Sequence, residues 1–218
     1  MKNMLCAAVM LMVQCLAISA YAFQLDYSAR SNISENPFLA YGYNPRSKVI
    51  TGYLTALRTA PGRTDECKLV FKGRPNRLSV KYLEHKWVSG GENRDGASVF
   101  ITTEKGTPSL RFSKNFLGGD CDWILPFNIG PRVSESADEV AVTMKAPNVG
   151  SWIGVYAISA KRTHFHSQPE DSSMRKAYLV EGDVIFVYEE RPEWYFVQYE
   201  NGKRKTVGWI RKADTVQP

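Results

Sequence analysis

Short apolar and polar residues alternate along most of the chain, and each run is closed by a turn signal. From Lys48 to Leu57, the residues Val49, Ile50, Thr51, Tyr53 and Thr55 make a β-rich stretch that stops near Ala60-Pro61-Gly62. Cys67 to Phe71 follows and ends at Lys72-Gly73-Arg74-Pro75. Similar runs occupy Leu78 to Leu83, Ser98 to Thr103, Ser109 to Phe112, Trp123 to Phe127 and Val140 to Met144. Residues of high β propensity bounded by Gly, Pro, Asn and Asp at this spacing predict strands. No window carries an apolar stripe of helical period and length, so residues 23–150 are expected to form a β-rich domain, a sandwich or a barrel. Its first part, Phe23 to Ser47, is polar and rich in turns (Asn36-Pro37, Asn44-Pro45), and is expected to be loosely structured.

Pro147-Asn148-Val149-Gly150 breaks the pattern, and Trp152 to Ile158 predicts a further strand, so residues 151–160 are read as a connection packed against both sides. Beyond Lys161 the runs are denser: Thr163 to His166, a polar loop from Ser167 to Ser173, Val184 to Tyr188, Trp194 to Tyr199 and Val207 to Ile210. Asn201-Gly202 marks a turn, with Lys203-Arg204-Lys205 lengthening the loop beyond a two-residue hairpin. Strand alternation sets Trp194, Phe196 and Gln198 on one face and Tyr195, Val197 and Tyr199 on the other. The stretch Ala177 to Asp183 with its Gly182-Asp183 turn, the strand Val184 to Tyr188, Glu193 to Tyr199 and the tripeptide Gly208-Trp209-Ile210 together resemble a bacterial SH3-like domain over residues 161–218. The resemblance implies a small β barrel, a fold used for cell-wall binding, protein binding and structural roles. The "asn-val-arg" opening common in that family is absent, and Phe165 and Pro169 resemble the first strand and loop of variants without it.

Composition adds a compartment to this all-β expectation. The 218 residues are 44% hydrophobic and 23% charged, a balance that excludes disorder. Lys2, the apolar stretch Met4 to Ile18 and Ala20-Tyr21-Ala22 read as a secretory signal over residues 1–22, cut before Phe23, which leaves no stable transmembrane anchor and predicts a periplasmic protein. Cleavage removes Cys6 and Cys15, so Cys67 and Cys121 are expected to form one disulfide in an oxidising compartment. Closing that 55-residue loop is worth about 4 kcal/mol in the chain-entropy picture.

Chemistry is sparse by comparison. His164 and His166 share a strand face, with Phe165 on the other, and are expected to lie on an exposed polar face, while His85 sits in charged sequence between Glu84 and Lys86. Two histidines without a third ligand make no metal site. Asp120-Cys121-Asp122 lacks the ordered oxygen series of a calcium loop, and Gly150-Ser151-Trp152-Ile153-Gly154 has its serine one position early for a nucleophile elbow. No cofactor is implied.

The basic stretch Arg63, Lys68, Lys72, Arg74, Arg77, Lys81 and Lys86 faces only Asp65, Glu66 and Glu84, which suits an acidic protein or an anionic envelope polymer. Export argues against nucleic acid. C-terminal aromatics exceed what a small barrel buries, so Trp194, Tyr195 and Tyr199, with Lys68, Lys72 and Lys81, are the candidate ligand contacts. The expected function is non-enzymatic periplasmic binding of another envelope or secreted protein, of inhibitor or immunity type. The alternatives are an accessory protein that binds peptidoglycan and an envelope hydrolase whose carboxylates or His164 and His166 converge only in the fold.

Overall fold

In the computed structural model, residues 25–32, 34–83, 99–104, 107–113, 121, 124–125, 139–202 and 204–216 are described. The signal segment 1–22, His85, Lys86, Asp120 and Asp122 lie outside them, as does the side chain of Lys81. No described helix is long and apolar enough to cross a membrane.

Fifteen strands make up the described chain: β1 (Ser28–Arg30), β2 (Phe38–Asn44), β3 (Val49–Ala60), β4 (Arg63–Arg74), β5 (Arg77–Tyr82), β6 (Val99–Glu104), β7 (Thr107–Ser113), β8 (Glu139–Thr143), β9 (Asn148–Gly150), β10 (Gly154–Ala157), β11 (Arg162–His166), β12 (Met174–Val180), β13 (Val184–Glu190), β14 (Trp194–Asn201) and β15 (Arg204–Arg211). They form three sheets. The first has the order β5-β4-β3-β2-β1-β9, the second is β6-β7-β8, and the third is β10-β13-β14-β15-β11-β12.

The first sheet is buried on both faces. Leu39, Tyr41, Ile50, Leu54, Leu69 and Phe71 point to a core shared with Val99, Ile101, Leu110, Phe112 and Val142 of the second sheet, which makes a β sandwich. Ala40, Tyr53 and Val70, of opposite parity, pack instead on Trp152, Val155, Ala157, Phe186 and Val216. A separate interior lies within the third sheet, built from Phe165, Leu179, Ile185, Val187, Tyr195, Val197 and Ile210. Of the two faces of β14 that alternation separates, the one with Tyr195 and Val197 is turned to this interior, while Trp194 and Phe196 belong to the other.

Four features depart from the sequence expectations. Phe38 to Asn44 is the interior strand β2 of the first sheet, not a loose lead-in. Packing on both faces removes the polar alternation by which a half-buried strand is recognised. Ile124 and Leu125 have helical backbone where a strand was expected from Trp123 to Phe127, and both are fully buried. A run this short is one in which periodicity does not separate helix from strand. Asn201 pairs directly with Arg204, so the loop there is two residues long, with Gly202 at a φ of 58° that favours glycine. His166 is buried, not on an exposed face.

The chain changes sheet just after Gly150. β9 pairs with β1, whereas β10 pairs with β13. There β2 and β10 approach so closely that a Cβ on Gly42 would stand 2.3 Å from the Gly154 Cα, a space only glycine leaves open. Polar contacts fasten the same seam: the Trp152 indole N–H donates to the Tyr41 carbonyl at 2.9 Å, the Val155 N–H to Thr51 Oγ1 at 3.0 Å, and Arg30 Nη1 to Glu200 Oε2 at 2.7 Å. Cys67 in β4 is bonded to Cys121, with their Cα atoms 4.9 Å apart.

Candidate functional site

A groove of about 580 Å³ opens along this seam. One wall comes from the turn after β2 and from β3 and β4, through Asn44, Ser47, Thr51 and Lys72; the other comes from Tyr156, Glu190, Tyr195 and Lys212. Strand parity explains the first wall, because Thr51 and Lys72 share the face of Tyr53 and Val70 that is turned to the C-terminal half. On the second wall the Tyr156 and Tyr195 rings stack at 5.0 Å and 24°, and the Lys212 ammonium lies 4.9 Å from the Tyr195 ring centre.

The charges of the lining do not cancel. Lys212 Nζ is 2.5 Å from Glu190 Oε1, which neutralises both. Lys72 makes no ion pair or hydrogen bond with a described residue, so among the described residues its charge is uncompensated beside neutral hydroxyl and amide groups. Burial, the leading cause, pushes the Tyr156 phenol up, and hydrogen bonds to Tyr195 and Thr51 act against it. The phenol is therefore a neutral hydroxyl at physiological pH. The arrangement is able to seat a carboxylate against Lys72 with a flat or apolar group against Val49, Ile153 and the stacked tyrosines.

A second groove, of about 300 Å³, follows the same seam and contains Arg30, Phe38, Leu57, Asp183, Phe186, Tyr199 and Glu200. Here Tyr199 donates its hydroxyl to Asp183 Oδ1 at 2.8 Å; burial first and then Asp183 raise its pKa to about 12. The Arg30 guanidinium sits 5.1 Å from the Phe186 ring centre. Burial raises the Glu200 carboxyl, but Arg30 and Lys205 more than reverse it, leaving its pKa below the ordinary carboxylate value.

That depression has a testable consequence. A lowered folded-state pKa contributes stability above the unfolded value, and the contribution is lost as pH falls through the folded pKa. Urea midpoints of the wild type are expected to drop as pH decreases below about 4.5, and the drop should be shallower in Glu200→Gln. Parallel pH curves for the two proteins would refute the coupling.

The sequence candidates divide among these places. Lys72 and Tyr195, far apart in the chain, line the larger groove, and Tyr199 lines the smaller. Trp194 lines neither: it is buried between the His166 ring, 4.8 Å away and edge-on, and the Arg211 guanidinium at 4.6 Å. Lys68 pairs with Glu66 at 2.6 Å, and the β5 backbone at Lys81 pairs with Val70. The strand pairing is irregular between His164 and His166, which meet Tyr178 and Trp194 respectively; their Nδ1 atoms each lie 3.0 Å from a backbone carbonyl, of Arg175 and Glu170, and neither residue lines these two grooves. No cluster of three or more His, Cys, Asp or Glu suited to a metal occurs among the described residues.

No protein-family description, curated protein or solved structure matches this chain. Tyr156, Thr51, Asn44 and Lys212 were missed by sequence reasoning. Only Tyr156 carried a signal, as the aromatic of a strand predicted to touch both halves.

Proposed function

We propose that this is an exported, non-enzymatic binding protein whose seam groove receives a carboxylate-bearing segment of another envelope or secreted protein. The observation that carries the reading is the convergence of Lys72 from β4 and Tyr195 from β14 on one lining, so that a cation with no carboxylate partner among the described residues faces a stacked aromatic wall. Binding is favoured over catalysis by the lining: among the described residues no histidine lines the groove beside Ser47, Thr51 and Tyr156, and its one described carboxylate, Glu190, is ion-paired. The reading includes a cleaved leader over residues 1–22, an oxidising periplasmic location and an SH3-like C-terminal module. Support for the module comes from the antiparallel order of the third sheet, the turn at Gly182-Asp183, Trp194 opening β14, and Gly208-Trp209-Ile210 within β15. Peptidoglycan is the second reading, favoured by the same groove because stem peptides also present carboxylates to a cation.

Immobilised mature protein exposed to periplasmic extract and to purified sacculi separates these readings. Stoichiometric capture of one protein, reduced about tenfold or more by Lys72→Glu, is the expected result, since a hydrogen-bonded ion pair contributes about 1.5–3 kcal/mol. Sacculus binding that depends on Lys72, without protein capture, transfers the function to peptidoglycan. Release of sacculus fragments, abolished by one carboxylate or histidine substitution in a folded protein, would refute the non-enzymatic reading.

A further inference from the structure

The third sheet has two edges, and they are treated differently. β10 is covered, because it packs on β2 and β3 through Val155, Ala157 and the Gly42–Gly154 approach. β12 stands at the opposite end of the strand order, and beyond it no strand pairs among the described residues. An uncovered edge presents backbone donors and acceptors to any extended chain.

The side chains of β12 add to that invitation. Met174, Tyr178 and Val180 are 62%, 49% and 42% exposed, although all three are large apolar residues. Lys176 is exposed between them; the pairing with β11 is irregular between Met174 and Tyr178, while in the regular stretch that follows Tyr178 and Val180 share one face. Tyr178 is held in place on that face: the Arg162 guanidinium lies 4.5 Å from its ring centre and the His164 ring 5.8 Å away. Leu179 points the other way, into the interior. An apolar stripe of this kind on an open edge exposes the free protein to aggregation unless something covers it.

Charge identifies what covers it. Lys161, Arg162, Arg175 and Lys176 are exposed on or beside this edge. Arg175 donates to the Val207 carbonyl, and Arg162 stacks on Tyr178, so both cations remain without a carboxylate among the described residues. Glu181 follows the strand, while Asp183 accepts the Val180 N–H and the Tyr199 hydroxyl. Pairing of β12 with a second copy of itself would bring Arg175 and Lys176 of two chains together, which like-charge repulsion opposes.

We propose that β12 is a docking edge for an acidic, extended segment of another protein, which adds to the third sheet as a further strand. Its backbone completes the ladder, its apolar side chains cover Tyr178 and Val180, and its carboxylates meet Arg162 and Lys176. No β12 residue lines either groove, so the proposal is independent of the seam reading.

The test uses the full mature protein and two short capped peptides, one alternating glutamate with valine and one alternating lysine with valine. Saturable binding of the glutamate peptide, with new hydrogen-exchange protection confined to β12 amides, is expected. Arg162→Glu with Lys176→Glu should weaken it by about tenfold or more and improve the lysine peptide. Tyr178→Ser, which leaves the charges in place, should also weaken it. Equal binding of both peptides, absence of protection in β12, or sedimentation showing a dimer that Lys176→Glu does not weaken would overturn the proposal.

Discussion

Replacing Cys67 and Cys121 together by alanine is expected to lower the unfolding free energy by about 4 kcal/mol, within the 2–5 kcal/mol typical of native disulfides. Both sulfurs are fully buried, so alanine avoids the buried hydroxyl that serine would introduce. The bond ties β4, opposite Ala56 of β3, to the helical residues Ile124 and Leu125, which are also fully buried. Urea unfolding of the double variant against the oxidised wild type measures the loss. Reductant should bring the wild type to the same midpoint and leave the variant unmoved. A loss under about 1 kcal/mol would mean that the cross-link constrains little of the unfolded chain.

Trp152→Ala is expected to cost about 3–5 kcal/mol and to separate one unfolding transition into two. The indole is buried at the seam, edge-on to Phe186 at 5.0 Å, and its N–H satisfies the Tyr41 carbonyl of β2. Truncation leaves a cavity between the sheets and a buried carbonyl without its donor. Trp152 belongs to the cluster that joins Ala40, Tyr53 and Val70 to Val155, Phe186 and Val216, so its loss weakens the junction more than either half. Hydrogen exchange should then show β13 to β15 opening independently of β3 and β4. Trp152→Phe, which keeps most of the packing, should retain a single transition. A single transition at unchanged midpoint in Trp152→Ala would refute the shared core.

Particular residues show what could be read in advance. The runs around Val49, Cys67, Leu78, Ser109, Val184, Trp194 and Val207 all lie in strands, because β propensity and turn residues act over a few neighbours. The observed strands extend further: β3 and β4 run to Ala60 and from Arg63, since pairing continues wherever a partner backbone is in register. β2 does not show in the pattern because it is buried on both faces, and the helical backbone of Ile124 and Leu125 does not because so short an apolar run carries no period.

By itself, the sequence determined the all-β class, the turns at Gly62 and Gly182, the pairing of its two internal cysteines and the separation of the two faces of β14, all of which follow from local propensity, strand parity and the small number of cysteines. Only the tertiary structure decided that Lys72 meets Tyr195 across the seam, that Trp194 is enclosed by His166 and Arg211, and that Arg30 reaches Glu200. These contacts join residues whose separation along the chain says nothing about distance. They depend on which face of the first sheet the third one covers, and that choice is made by the summed packing of Ala40, Tyr53, Val70, Trp152 and Phe186, with Gly42 and Gly154 leaving room for it.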